Sequence, residues 1–304
     1  MPAGDRSILM GVVGAPRHRR FRAAVLWSVI LAFAGALVAC ASSGSVAPIS
    51  SPSTAGTAGD SIPGPESPSA GLTILGAASL RGALDQVRID WEVANPRSNL
   101  TISTDSSSAL ETQIEQGAPA DVFLSADTTN PAKLVTKGLT TGDPVVFARN
   151  ELTVIVPTSN PARITTPADL AKPGLKIIAA GDGVPITAYA LKLIANLARQ
   201  PGYPAGLLDA YVSNIASKED NVKAVVAKIE LGEGDAAIVY ATDAKASRKV
   251  ATIAVPPGVN VPATYAGVAV KGTANPTSAQ AFLDWLVGPG GQAILAGFGF
   301  LPPT

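Results

Sequence analysis

Three consecutive serines, Ser106, Ser107 and Ser108, follow the alternating run Leu100-Thr101-Ile102-Ser103 and precede the run Ala109–Gln116. The first run has the period of a strand. The second has the period of a helix, stopped by Gly117 and a turn at Pro119. The start of a helix carries unpaired N–H groups and a partial positive charge. A serine hydroxyl there has two uses: it caps its own helix, or it turns toward a bound anion. The arrangement recurs, giving four corners at Ser79, Ser106–Ser108, Val184–Thr187 and Glu219–Val222. In an open α/β sheet such corners gather at the carboxyl ends of strands, where ligands bind. Each offers one or two backbone N–H groups, and two of them add serine hydroxyls. Tyr240, which ends the apolar run Asp235–Tyr240, is either a half-buried core residue with its hydroxyl at the rim or a further donor. The nearby cations Arg81, Lys218 and Lys223 can all face solvent, so an anion held here would meet mainly neutral dipoles. Four or five hydrogen bonds to a charged group, at about 1.5–3 kcal/mol each, suffice for micromolar binding after its costs. A fully deprotonated dianion suits such donors. Hydrogen phosphate also needs an acceptor, and Asp105, Asp182, Glu219 and Asp220 lie close enough in sequence to leave phosphate open.

The elements that position these corners alternate along the chain. Leu72–Leu75 reads as a strand and Leu80–Val93 as a helix with Leu80, Ala83, Leu84, Val87 and Trp91 near helical spacing. Asp121–Leu124 is a strand, Pro131–Lys137 a helix, and Glu151–Val156 a strong strand ended by Pro157. Leu175–Ala179 is a strand, the loop Gly181–Pro185 a tight turn, and Ile186–Arg199 a helix with Pro185 ahead of it. Tyr211–Ile215 reads as a strand, Val222–Leu231 as a helix and Asp235–Tyr240 as a strand. Strands at Ala251–Val255 and Tyr265–Val270 and helices near Ser278–Val287 and Gly291–Ala296 complete the chain. This alternation predicts an α/β fold with mostly parallel sheets and flanking helices.

The first 39 residues read as a signal peptide: a basic patch of Arg17, Arg19, Arg20 and Arg22, then the uncharged apolar run Ala23–Ala39. An uncleaved membrane anchor is the competing reading, since the run is near the ~17-residue lower limit of a span. Leu37-Val38-Ala39-Cys40 resembles the lipobox of bacterial lipoproteins, which implies lipid on Cys40 after cleavage. Residues 40–71 are rich in Ser, Pro, Ala and Gly and read as a disordered tether. The rest is long enough for two lobes. Without the leader, Lys plus Arg falls from 23 to 18 and Asp plus Glu from 23 to 22, a net charge of −4, which argues against a nucleic-acid surface. His18 and Cys40 are the chain's only histidine and cysteine. The mature body therefore lacks Ser-His-Asp and Cys-His catalysis, imidazole or thiolate zinc sites, and disulfides.

Several stretches resemble the molybdate-binding proteins of ABC importers, the ModA family. They are Gly76-Ala77-Ala78-Ser79-Leu80; Ser106–Leu110 with Gln113-Ile114-Glu115; Gly117-Ala118-Pro119-Ala120-Asp121-Val122-Phe123-Leu124-Ser125-Ala126-Asp127; and Ile238-Val239-Tyr240 with Asp243-Ala244. The likeness runs from about residue 72 to 302 and includes Gly297–Phe300. It implies a two-lobed type II periplasmic-binding-protein fold with the ligand cleft between lobes: lobe I from 72 to 150, lobe II from 151 to 240, and a return to lobe I over 241–304. It implies a ligand-binding set of Ser79 and Ser107, each with hydroxyl and N–H, the N–H groups of Ile186 and Val222, and the Tyr240 phenol. The choice of Ser107 over Ser106 or Ser108 is a matter of alignment. The loop after Gly181-Asp182 is shorter than the family's, and Ile186 and Thr187 stand where small residues are common. They would narrow the pocket or add a hydroxyl.

The expectation is thus an extracytoplasmic, lipid-anchored, monomeric binding protein rather than an enzyme. Its ligand would be molybdate and also tungstate, bound as the oxyanion with no direct protein ligand to the metal and no cofactor. Its partners would be an importer permease and ATPase, and the membrane through Cys40. Sulfate or phosphate is the alternative ligand. A carboxylate-dependent cell-surface hydrolase and an adhesion or scaffold lipoprotein are readings of other classes. The first would need two facing carboxylates, which no spacing here provides.

Overall fold

The computed structural model describes residues 71–304; the leader, Cys40 and the tether up to residue 70 lie outside the described residues. Strand β1 (Leu72–Ala77) runs through a 3-10 turn at Ala78–Leu80 into helix α1 (Arg81–Ala94). Then come β2 (Leu100–Asp105), α2 (Ser107–Glu115), β3 (Val122–Ser125), α3 (Thr129–Thr136) and β4 (Thr140–Asn150). Strand β5 (Leu152–Pro157), a 3-10 turn at Pro167–Ala171, β6 (Ile177–Ala180) and α4 (Pro185–Leu197) follow. The middle of the chain continues with α5 (Leu207–Ser213), β7 (Ile215–Glu219), α6 (Val222–Glu230), β8 (Ala237–Tyr240) and α7 (Ala241–Ala246). Strands β9 (Val250–Ile253) and β10 (Ala263–Val270) and helices α8 (Pro276–Val287) and α9 (Pro289–Phe298) close it.

These elements make two lobes. The larger sheet has the order β2-β1-β3-β10-β4. Period-two alternation sends side chains to both of its faces. Leu72, Ile74, Val122 and Leu124 join one core with Leu84, Val87, Trp91 and Phe282. Leu75, Phe123, Val268 and Val270 join a second with Leu110, Ile114 and Leu134. Trp91 of α1 sits edge-on to Phe282 and Trp285 of α8, at 5.3 and 5.5 Å between ring centres, and so locks those helices together. In the second lobe β8-β5-β9 and β6-β7 pair, joined by a bridge between Ile177 and Ala236. The chain crosses from β4 to β5 at Glu151, within a residue of where the sequence places it.

Other expectations change. The resemblance implies a second crossing just after Tyr240, but β9 still pairs with β5 in the second lobe, so the return to lobe I comes between Ile253 and Ala263. The sheets are mixed. Ladders β1–β2, β1–β3 and β6–β7 are parallel, whereas β10 runs antiparallel to β3 and β4, and β5 to β8 and β9. The antiparallel strands are those entering or leaving a crossing, where the chain reverses into the other lobe. Tyr211–Ser213 is helical, because Leu207 and Tyr211, four apart, share the buried side of α5 while Val212 faces solvent. Strand β4 went unread because Gly142 and Pro144 interrupt it; as an edge strand it tolerates a proline that cannot donate.

Candidate functional site

The corners converge. One cavity of about 210 Å³ of non-atom space is lined by Ala77, Ala78, Ser79, Ser106, Ser107, Ala126, Val184, Pro185, Ile186, Asn221, Val222 and Tyr240. Ser79, Ser107, Ile186, Val222 and Tyr240, far apart in sequence, all stand on its wall, and each is nearly fully buried. Ser79 and Ser107 come from the large lobe and the other three from the second lobe, so the cavity lies between lobes.

Each N–H is left free by the local fold. In α2 the Ser106 hydroxyl caps the helix by accepting from Ala109 N–H at 3.3 Å, which leaves the first N–H, that of Ser107, without an intrahelical acceptor. In α6 the Asn221 side chain accepts from the N–H groups of Lys223 and Ala224 at 3.1 and 3.2 Å, which again leaves the first, Val222 N–H. In α4 the first residue is Pro185, which has no N–H, and Thr187 N–H bonds Val184 C=O at 3.0 Å, so Ile186 supplies the remaining donor. Helix starts also place their positive dipole ends here.

The hydroxyls are oriented as well. Ser107 Oγ accepts from Ala126 N–H at 3.0 Å, which leaves its own proton for the cavity. Ser79 Oγ lies 2.9 Å from Tyr265 Oη. The Tyr240 hydroxyl is buried with no hydrogen-bond partner among the described residues, although a buried polar group left unpaired costs about 1–3 kcal/mol. Its ring is held edge-on between Tyr265 and Tyr189, at 5.7 and 6.4 Å. Burial first, then Tyr265, Tyr189 and the carboxylates of Asp243 and Asp127, hold the Tyr240 phenol well above its ordinary pKa, so it keeps its proton and remains a donor.

No charged side chain lines this cavity. Arg81 bonds Thr104, Lys218 pairs with Asp182, and Lys223 pairs with the buried Asp243 at 2.7 Å. Asp105, Lys218, Glu219 and Asp220 line a wider outer cavity instead. Asp105 is engaged by Ser106 N–H and by Asn221 Nδ2, at 2.7 and 2.9 Å, and Glu219 by Lys228 at 3.0 Å. The acceptors that would have kept hydrogen phosphate open are thus turned outward or taken. Ser108 also faces the outer cavity. Thr187 adds no donor, because its hydroxyl bonds the carbonyls of Ala180 and Gly181, both at 2.9 Å. Tyr265, Asn150, Asn221 and Ala126 are the supporting residues that sequence reasoning missed. Tyr265 lies 186 positions from the Ser79 it touches, and no spacing rule links such a pair.

Comparison with known proteins gives the family. Residues 72–301 match the family model described as bacterial extracellular solute-binding protein. A molybdate-binding protein ModA from Mycobacterium tuberculosis is 32% identical over 275 residues, covering 88% of this chain and 93% of the relative. Its counterpart from Haemophilus influenzae is 35% identical over 242 residues, covering 76% and 90%. Among solved structures, the periplasmic molybdate-binding protein of Azotobacter vinelandii superposes with a TM-score of 0.65 at 24% identity, covering 77% of this chain and 100% of that one, which supports the two-lobed fold. The chain belongs to the bacterial extracellular solute-binding proteins and, within them, to the ModA family.

Proposed function

We propose that this chain is the substrate-binding subunit of an ABC importer and that it captures molybdate, and also tungstate, as the intact dianion. The observation that carries the proposal is the carboxylate-free wall of neutral donors around a Tyr240 hydroxyl that has no partner among the described residues. Two serine hydroxyls, the phenol and four first-turn N–H groups, from Ser79, Ser107, Ile186 and Val222, are the protons this wall offers to a ligand. A dianion with four acceptor oxygens matches that wall. Hydrogen phosphate would bring a proton that finds no carboxylate to accept it on this wall. The metal stays inside the oxyanion and takes no protein ligand, so no cofactor is involved. The protein works as a monomeric carrier rather than an enzyme, since a wall without acid or base gives hydrolysis nothing to act with. It delivers its ligand to a permease and its ATPase on the extracytoplasmic side, tethered to the membrane through lipid on Cys40.

Thermal melting tests this directly. Ligand at a hundred times its Kd adds about 2.7 kcal/mol of stability by linkage. Molybdate and tungstate raise the melting temperature, and phosphate leaves it unchanged. Equal shifts with all three, or none, refute the proposal. Sulfate shares charge and shape and differs in size, so competitive calorimetry of sulfate against molybdate decides between those two.

A further inference from the structure

A chain of hydrogen bonds behind the cavity reaches Ser79 from the crossings between lobes. Asn150, the last residue of β4, is 1% exposed, and its Oδ1 accepts from Glu151 N–H at 3.0 Å. That bond fixes which end of the amide is oxygen. Its Nδ2 therefore donates, to Thr242 Oγ1 at 2.8 Å and to Tyr265 Oη at 3.4 Å. Tyr265, on β10, is fully buried, with its ring edge-on to Phe147, Tyr240 and Phe300. Its oxygen accepts from Asn150, and Ser79 Oγ, 2.9 Å away, stands within reach of its proton. Burial, with Asp243 nearby, holds this phenol well above its ordinary pKa, so the proton is always present to give. Ser79 Oγ then accepts, and its own proton is left to point into the cavity.

We propose that Tyr265, itself oriented by Asn150, is a positioning residue that makes Ser79 an obligate donor to the bound oxyanion. This rests on the function proposed above and deepens it. The specificity of the wall then lies partly in a residue that does not line it. A serine free to rotate could offer either a proton or a lone pair and would tolerate a protonated oxyanion. A serine already accepting from Tyr265 offers its proton. The same bonds attach the site to both crossings, since Asn150 ends the strand leading out of lobe I, Thr242 follows Tyr240, and Tyr265 lies on the returning strand.

The test is a double-mutant cycle read by calorimetry with molybdate and tungstate. Tyr265→Phe keeps the ring contacts and removes only the hydroxyl; far-UV circular dichroism and melting of the ligand-free variants check that each is folded. Tyr265→Phe is expected to weaken binding roughly tenfold, as for one charged-group hydrogen bond. Ser79→Ala is expected to weaken it at least as much. The double variant should bind as Ser79→Ala does, because Tyr265 acts only through Ser79. A merely structural Tyr265 would give additive losses, and that result, or an unchanged affinity in Tyr265→Phe, overturns the inference while leaving the proposed function intact. A wild-type protein that binds neither anion overturns both.

Discussion

Removing the Tyr240 hydroxyl should act on stability and on binding with opposite signs. Among the described residues no protein group bonds that buried hydroxyl, so Tyr240→Phe, which removes a polar group that is costly to bury unpaired, is expected to raise the melting temperature measured without ligand, by about 1 kcal/mol of stability. In the complex the hydroxyl is one donor to a charged ligand, and its loss should weaken affinity about tenfold or more. Melting without ligand and calorimetry with molybdate measure the two effects separately. A lower melting temperature together with unchanged affinity would show Tyr240 to be an ordinary core residue. Such a trade of stability for function is expected where a side chain is held ready for a ligand. Tyr265 contrasts with it, because its hydroxyl is already satisfied in the free protein by Ser79 and Asn150.

At the scale of elements, the start of α6 joins the two lobes. Asn221 caps α6 through its Oδ1 and donates from Nδ2 to Asp105 at the end of β2, across the cleft, at 2.9 Å. One residue therefore both shapes the corner that presents Val222 N–H and holds the lobes together beside the cavity. Asn221→Asp should separate those roles. Aspartate caps a helix as well as asparagine does, so α6 and the ligand-free melting temperature should change little. Its carboxylate would instead face that of Asp105, and closure would be opposed by like charge. Affinity for molybdate should fall about tenfold, and the loss should shrink as salt is raised. Affinity that is unchanged, or that falls equally at all salt concentrations, would count against a closing role for this contact.

At the scale of the molecule, the site exists only where the lobes meet. Ser79 comes from the turn after β1, Ser107 and Ile186 from the starts of α2 and α4, and Val222 and Tyr240 from the second lobe's α6 and β8. A ligand bonded to both sides resists separation of the lobes. Amide hydrogen exchange should therefore slow on adding tungstate at the starts of α2, α4 and α6 together. Protection confined to one lobe would mean that the anion sits on one wall without closing the cleft.

The α/β character and the strand-to-helix corners were legible in the sequence, because each is local. A serine or proline at the head of an apolar-periodic run is visible within about ten residues, and the absence of His and Cys from the body is a matter of composition. The resemblance added which residues of those corners to choose. Tertiary structure alone decided the rest. It put β9 in the second lobe, because pairing with β5 is a contact between strands some hundred residues apart. It made Tyr211 helical through its packing with Leu207 rather than through β-propensity. It turned Asp105 and Glu219 away from the cavity, gave Thr187 to its own loop, and set Tyr265 behind Ser79. The placing of β9, Asp105, Glu219 and Tyr265 depends on which neighbours the folded chain brings alongside, and the order of residues along a chain does not encode that distance locally.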